Sequence, residues 1–201
     1  MNEFQKGLQK HLSKDQIALI QSFKIGIGGC GGLGSNLATI LVRCGFENFE
    51  ILDRDVIDAS NLNRQSYFLS DIGSPKTNTL KRHLLEINPK ADITTHQTLW
   101  SDKNADQLFK DCDVVAEAFD QAKDKRNFVE FYQKRNKYVV SASGLAGFSI
   151  IEKLKIKKMG NIYLVGDQRT EVSNQAPPLA PGVIATSALM AETIVNLVLK
   201  N

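Results

Sequence analysis

Gly29-Cys30-Gly31-Gly32-Leu33-Gly34 is the stretch on which the fold turns. It follows a β-like run that begins at Phe23, and it opens an apolar helical pattern from about Leu33 to Cys44. A second apolar run, Phe49 to Leu52, comes next. Strand, glycine turn, helix and strand within about thirty residues make a βαβ unit. Glycines at such a turn let backbone N–H groups approach a phosphate at the helix N-terminus. Asp53 ends the second strand, 53 − 34 = 19 residues after the last glycine, where a carboxylate meets ribose hydroxyls. A glycine turn kept only for tight helix–strand packing is the competing explanation, and the acidic partner at this distance weighs against it.

Upstream, Phe4, Leu8 and Leu12 recur at i+4, and Ser13 with Gln16 has the capping-box pattern for a helix through about Ser22. Residues 1–22 therefore read as a helical arm. Downstream, Asp55 to Ser74 is polar and turn-rich, Pro75 stands where a helix starts, and Thr79 to Ile87 continues in helical pattern until Asn88-Pro89 stops it. Alternation then predicts a strand over Ala91–Gln97, a helix over Asn104–Lys110, a strand over Asp113–Ala116, a helix over Lys123–Arg135 and a strand over Lys137–Ser141. Strands and helices of these lengths in alternation imply an α/β fold with a doubly wound, mainly parallel sheet, its nucleotide-binding βα region spanning 23–141.

Residues 142–201 break that alternation. Phe148–Ile156 and Asn161–Val165 read as strands joined by Lys157-Lys158-Met159-Gly160, a link too short for a helical crossover, so the two should pair antiparallel. Gly166–Pro181 is a loop rich in proline and polar residues, and Val183–Leu199 is a closing helix. At 201 residues, 42% hydrophobic and 23% charged, the chain has material for one substantial core and is read as a single domain over 1–201.

Composition removes several function classes. The 25 Lys+Arg against 22 Asp+Glu leave +3 with no basic block, so nucleic acid is not the expected partner. Met1 to Lys14 is polar where a secretory signal is apolar, and no run of about 18 apolar residues stands out; the expectation is a cytoplasmic protein with no membrane partner. Cys30, Cys44 and Cys112 form no C-x-x-C pair, so structural zinc and a disulfide framework are not expected.

The glycine loop alone does not choose among NAD, FAD, S-adenosylmethionine and ATP, since each brings an adenosine to such a turn. The residues after it narrow the choice. Ser60-Asn61-Leu62-Asn63-Arg64-Gln65 follows Asp53-Arg54-Asp55, then come Gly73-Ser74-Pro75-Lys76 and Glu117-Ala118-Phe119-Asp120-Gln121. A nucleoside triphosphate under attack needs full cations near the leaving pyrophosphate and a carboxylate for magnesium, and Arg64, Lys76 and Asp120 are of those types. Taken singly, Arg64 and Lys76 are ordinary surface charges and Asp120 an ordinary polar residue after a strand; it is their order and company that point to ATP.

These motifs, with Ile87-Asn88-Pro89, resemble in order those of the ubiquitin-activating-enzyme-like adenylyltransferases, the ThiF/MoeB/HesA family. Ala142-Ser143-Gly144-Leu145-Ala146-Gly147 and Val165-Gly166-Asp167 are similar to its short bacterial ThiF branch. The resemblance covers almost the whole chain and implies a Rossmann-like sheet. It implies that Gly29, Gly31, Gly32 and Gly34 lie against ATP, with Asp53 at the ribose and Asp55 and Ser60 lining the site. It further implies that Asn61 and Arg64 contact phosphates, that Lys76 neutralises the triphosphate, and that Asp120, with Gln121 beside it, holds Mg2+. Arg64, Lys76 and Asp120 are then the catalytic set. The implied reaction is attack of the C-terminal glycine carboxylate of a ThiS-like sulfur-carrier protein on the α-phosphate, in thiamine biosynthesis, by a homodimer.

Three departures stand out. Relatives carry an N-terminal arginine that reaches the partner subunit's site, whereas this arm offers Lys10 and His11. The paired C-x-x-C zinc motifs of longer members are absent, and no cysteine follows Cys112, so the late loop cannot form a thioester. Cys30 sits at a helix N-terminus, which lowers a thiol pKa, but a small residue also suits a tight turn. The alternatives are an NAD- or FAD-dependent oxidoreductase, an enzyme of the same superfamily acting on a molybdopterin-type carrier or on modified tRNA, and a non-catalytic binding partner with this fold.

Overall fold

A computed structural model describes residues 2–144, 146–147, 150–170 and 172–200. Helices α1 (Glu3–Leu8) and α2 (Lys14–Ser22) form the arm, and α2 opens with the expected capping box, Ser13 and Gln16 each bonding the other's backbone N–H. Then follow β1 (Lys24–Gly28), α3 (Gly32–Arg43), β2 (Asn48–Leu52), α4 (Lys76–Ile87), β3 (Asp92–His96), β4 (Val114–Glu117), α5 (Ala122–Gln133), β5 (Tyr138–Ala142), β6 (Lys155–Met159), β7 (Ile162–Gly166) and α6 (Ala180–Leu199).

The strands form one seven-stranded sheet in the order β3-β2-β1-β4-β5-β7-β6. All neighbours are parallel except β6 with β7, which run antiparallel from Lys155↔Gly166 to Met159↔Ile162. The order reverses between β1 and β4, and in an open parallel sheet a ligand crevice lies beyond the carboxyl ends of the strands at that switch. Alternate residues of each strand serve opposite faces. Ile25, Ile27, Val114, Ala116, Val140 and Ala142 meet α3, α4 and α6, while Leu52, Val115 and Val139 join Trp100, Phe109, Phe128 and Tyr132 around α5. Parallel strands buried on both faces explain why their sequences are apolar runs and not alternations.

Two elements differ from the sequence expectation. Residues 104–110 form successive turns and not an α-helix. The carbonyls of Ala105 and Leu108 accept the Tyr132 hydroxyl, and the Phe109 N–H goes to Glu50 Oε1 at 2.8 Å. Phe109 itself has φ 55°, a left-handed conformation that ends any helical run. The strand expected over 148–156 begins only at Lys155: Ile151–Lys153 is a 3-10 turn, and Phe148 and Ser149 lie outside the described residues. Lys157, Lys158 and Met159, expected to link the strands, are themselves β6, because the hairpin closes in two residues with Gly160 at φ +62°.

α6 starts at Ala180, three residues before the expected Val183, with Pro181 in its first turn. Among the described residues it is the one helix long and apolar enough to cross a membrane by length and composition, yet it packs into the core through Val183, Met190, Ile194 and Val198. All five residues of β6, the sheet's outer strand, are exposed.

Candidate functional site

The four glycines of the loop do two different jobs. Gly29 has φ +99°, and a Cβ there would stand 2.6 Å from the Ala118 carbonyl oxygen; at Gly34 it would stand 1.8 Å from the Gly29 oxygen. Backbone passes too close at both for any side chain. Gly31 and Gly32 are not crowded by backbone. Near Gly31 lies only Gln65 Nε2 at 3.8 Å, and near Gly32 lie Val183 Cγ1 at 3.0 Å and the Arg64 stem at 3.5 Å. Their lack of side chains leaves the first turn of α3 open, and no side chain caps its N-terminus. Uncapped N–H groups at a twelve-residue helix favour an anion. The buried Gln65 Oε1 beside them has no hydrogen-bond partner; as an acceptor it needs a donor, which a phosphate does not offer.

Asp53 clasps this loop. Its Oδ2 accepts the Cys30 N–H at 2.7 Å, and its Oδ1 accepts the Asp55 N–H at 2.8 Å. Tyr67 completes the support by donating its hydroxyl to the Cys30 carbonyl at 2.8 Å. Burial, together with the Asp53 charge, pushes the Cys30 thiol well above its ordinary pKa, so Cys30 is an inert small residue in a tight turn.

The segment 58–66 packs across the mouth of α3. Asp58 caps a 3-10 turn, accepting the Ser60 N–H at 2.8 Å, while Asn61 Oδ1 accepts the Asp58 N–H at 3.1 Å. Asn36 fastens this turn to the helix: its Nδ2 donates to the carbonyls of Gly32 at 2.6 Å and Arg64 at 2.9 Å, and its Oδ1 accepts the Ser66 hydroxyl. Ser35 Oγ accepts the Ser66 N–H at 3.0 Å. The result lays the Arg64 side chain over Gly32, its Nη1 donating to Asn63 Oδ1 at 2.7 Å and the Ser60 carbonyl at 3.3 Å.

Lys76 reaches the same place from α4. The Lys76 N–H bonds the Asp55 carbonyl, and a bridge between Val56 and Pro75 holds Gly73–Lys76 beside Asp53–Asp55. The ammonium is 7% exposed and lies 3.0 Å from Asp55 Oδ2. A buried cation requires such a partner. The sequence therefore offered Lys76 as a free cation and Asp55 as a ligand contact, whereas here they are paired with each other.

Asp120 and Gln121 lie in the turn from β4 to α5. Ala118 donates its N–H to the Gly28 carbonyl at 2.8 Å, which sets this turn against Gly29. Asp120 is exposed, and among the described residues no hydrogen bond or ion pair engages its carboxylate. Gln121 caps α5 without a side-chain bond. No cluster of three His, Cys, Asp or Glu side chains suited to a metal occurs among the described residues. One carboxylate beside a phosphate site is nonetheless a common setting for magnesium, which takes much of its shell from phosphate and water.

The structure thus brings part of the expected set around one loop: Arg64 at Gly32, Asp53 at Cys30 with Asp55 and Lys76 next to it, and the Asp120 turn at Gly29, with Gln65, not singled out from sequence, at Gly31. Asn61, expected at the phosphates, instead turns its Oδ1 to the Asp58 N–H, and Ser60 sits in that same 3-10 turn. The structure does not bring the arm there. Leu8 packs at Gly45, Gln5 donates to Glu47 at 2.8 Å, and Asn2 donates to Asn88 at 3.0 Å. Gly45 and Glu47 precede β2, at the end of the parallel sheet opposite the glycine loop, and Lys10 and His11 are exposed. Sequence reading missed Ser35, Asn36 and Tyr67. For Asn36 a signal existed, since 36 − 32 = 4 puts it on the helical face of Gly32.

Comparison with known proteins identifies relatives of this fold. The tRNA threonylcarbamoyladenosine dehydratase 2 of Saccharomyces cerevisiae is 31% identical over 149 residues, 72% of this chain and 33% of that protein. The probable molybdopterin-synthase adenylyltransferase of Porphyra purpurea is 31% identical over 175 residues, 84% of this chain and 41% of its own length. The chain thus spans less than half of each of these curated relatives. Among solved structures, the E. coli tRNA N6-threonylcarbamoyladenosine dehydratase TcdA in complex with AMP superposes with a TM-score of 0.88 at 16% identity, covering 97% of this chain and 93% of that one. The model of the ThiF family matches residues 5–200, and the chain belongs to that family.

Proposed function

We propose that this chain adenylylates a carboxylate with ATP, releasing pyrophosphate, and that residues 1–201 work as one unit in doing so. The observation that carries the proposal is the open, uncapped N-terminus of α3 with Arg64 laid over Gly32. The TcdA structures in complex with AMP and with ATP support the choice of nucleotide. In this reading the α3 N-terminus and Arg64 bind phosphates, and Asp53 meets the ribose with the lone pairs left by its two backbone bonds. Lys76 exchanges part of its pairing with Asp55 for the triphosphate. An anion attacking a polyanion is opposed electrostatically, so cations fixed before the reaction supply much of the barrier reduction. Mg2+, when bound at Asp120, would neutralise charge on the departing pyrophosphate.

The substrate reading taken first is the terminal glycine carboxylate of a ThiS-like carrier. A cavity of about 300 Å³ lined by Ile150, Ile151, Glu152, Leu179 and Pro181 with Gly147 and Gly182 adjoins the first turn of α6, next to Val183, which stands close to Gly32. A largely apolar cavity beside the phosphate site suits the backbone of a Gly-Gly tail, with Glu152 at its lining as the one charge. A second reading, a carboxylate on modified tRNA, is favoured by the likeness to the yeast dehydratase. ATP–pyrophosphate exchange with each substrate separates them. Exchange stimulated by carrier and not by tRNA supports the first, the reverse supports the second, and no exchange with any carboxylate substrate while NADH binds overturns both.

The same reading includes a homodimer. Phe68, Leu69 and Ile72, all on one 3-10 turn, are exposed, an apolar patch that a second copy would cover.

A further inference from the structure

Beneath the turn that carries Asp120 lies an ion pair whose carboxylate is buried and whose ammonium, on Lys125, is partly exposed. Glu117 closes β4 with 0% of its surface exposed. Its carboxylate accepts three bonds: Lys125 Nζ at 3.0 Å, the Phe119 N–H at 2.6 Å and the Ser141 hydroxyl at 2.6 Å. Lys125, in the first turns of α5, also donates to the Phe119 carbonyl at 2.9 Å. Both backbone polar groups of Phe119 therefore end on one ion pair. The Phe119 carbonyl belongs to the same rigid peptide plane as the Asp120 nitrogen, so fixing it fixes how Asp120 leaves the turn. From the other side, Ala118 is bonded to Gly28 and abuts Gly29.

The fold does not need charge at this point. One step deeper on the same face of the sheet, Val115 and Val139 fill the equivalent positions against Phe128. Burying the Glu117 carboxylate costs desolvation that its attraction to a partly exposed ammonium does little more than repay, so such a pair is a poor stabiliser relative to well-packed apolar residues. Its distinctive effect is geometric, because four directed bonds define one turn conformation.

We propose that Glu117 and Lys125 are positioning residues that hold the Asp120 carboxylate in the orientation in which it meets magnesium and the phosphates. The inference rests on the adenylylation reading. It predicts that breaking the clasp removes the contribution of the metal to nucleotide binding while sparing the binding of nucleotide alone.

The test is calorimetric titration of ATP, with and without Mg2+, into wild type, Lys125→Met and Lys125→Arg, with urea unfolding and saturating pyrophosphate-exchange kinetics on the same samples. In Lys125→Met, Mg-ATP affinity falls about tenfold while metal-free ATP affinity stays within about twofold, and kcat falls at least about thirtyfold at saturating Mg-ATP. Lys125→Arg, which keeps charge and donors, recovers both to within about threefold. Should Lys125→Met fail to fold, Ser141→Ala, which removes one bond from Glu117 and leaves the ion pair, is read instead and shows the same metal-selective loss at smaller size. Equal loss with and without metal, or unchanged Mg-ATP binding, overturns the positioning role alone. A wild type that binds no Mg-ATP overturns the adenylylation reading, and this inference with it.

Discussion

The carboxylate of Asp53 and the backbone of Cys30 are joined by a 2.7 Å hydrogen bond, while the second oxygen of Asp53 accepts the Asp55 N–H. Both oxygens are thus acceptors of N–H groups. Asn at this position can satisfy only one, since its amide would turn two donors toward a third. Asp53→Asn is expected to cost about 1–3 kcal/mol in urea unfolding and to weaken ATP binding at least about tenfold by calorimetry. Unaltered ATP affinity in the folded variant would remove Asp53 from the site.

The two classes of glycine should separate cleanly on substitution. Gly34→Ala forces a methyl onto the Gly29 carbonyl and should lose about 3 kcal/mol or fail to fold. Gly31→Ala meets nothing closer than 3.8 Å and should unfold within about 1 kcal/mol of wild type, yet bind ATP poorly because the methyl occupies the phosphate approach. Wild-type ATP affinity in Gly31→Ala would place the phosphates elsewhere.

Arg64 and Asp120 make few contacts of their own, so their removal should be seen in catalysis and not in stability. Arg64→Ala and Asp120→Ala are each expected to lower pyrophosphate exchange by about 10²–10³-fold with the unfolding midpoint unchanged. Full activity in either variant removes that residue from the mechanism.

Stability should fall in acid through Glu50. Burial pushes its carboxyl up, but the Phe109 N–H and the Lys24 ammonium outweigh it and hold the group below its ordinary 4.5. A depressed folded pKa means the stabilisation is complete above about pH 4.5 and is lost as pH falls from there through the folded value. Asp71, held below 3.8 against burial by the Phe68 N–H and Arg82, acts in the same direction slightly lower. Denaturant titrations from about pH 6 to about pH 3 should show the decline. Glu50→Gln should flatten the part nearest pH 4.5; an unchanged slope would assign acid lability elsewhere.

Leu69→Glu tests the proposed dimer. A charge in the middle of the Phe68, Leu69 and Ile72 patch should convert a dimer to a monomer by light scattering. A monomeric wild type over a wide concentration range would leave that patch to another partner.

The βαβ start, the arm's capping box and the mainly parallel character of the sheet could be read from sequence because each rests on local period and on glycine, proline and capping residues. The segment 104–110 could not, since its helical period is overruled by Tyr132 and Glu50, whose bonds come from 24 and 59 residues away. The hairpin was readable as antiparallel but not in extent, because a two-residue turn at Gly160 and a longer link imply the same topology. In the site, residue types were legible and pairing was not. Nothing in the order of residues says that Lys76 turns to Asp55, that Asp53 grips the loop, or that Asn36 fastens Arg64 to α3.

Among the described residues no strand pairs with the outer side of β6, which leaves that margin of the sheet as a template on which a neighbouring strand can add. Lys155, Lys157 and Lys158 line that margin, and a second copy docking there at about 4.8 Å would set like charges side by side. The strand thereby discourages stacking of one molecule onto the next, and chemistry that neutralised those ammonium groups would turn the same margin into a seed for aggregation.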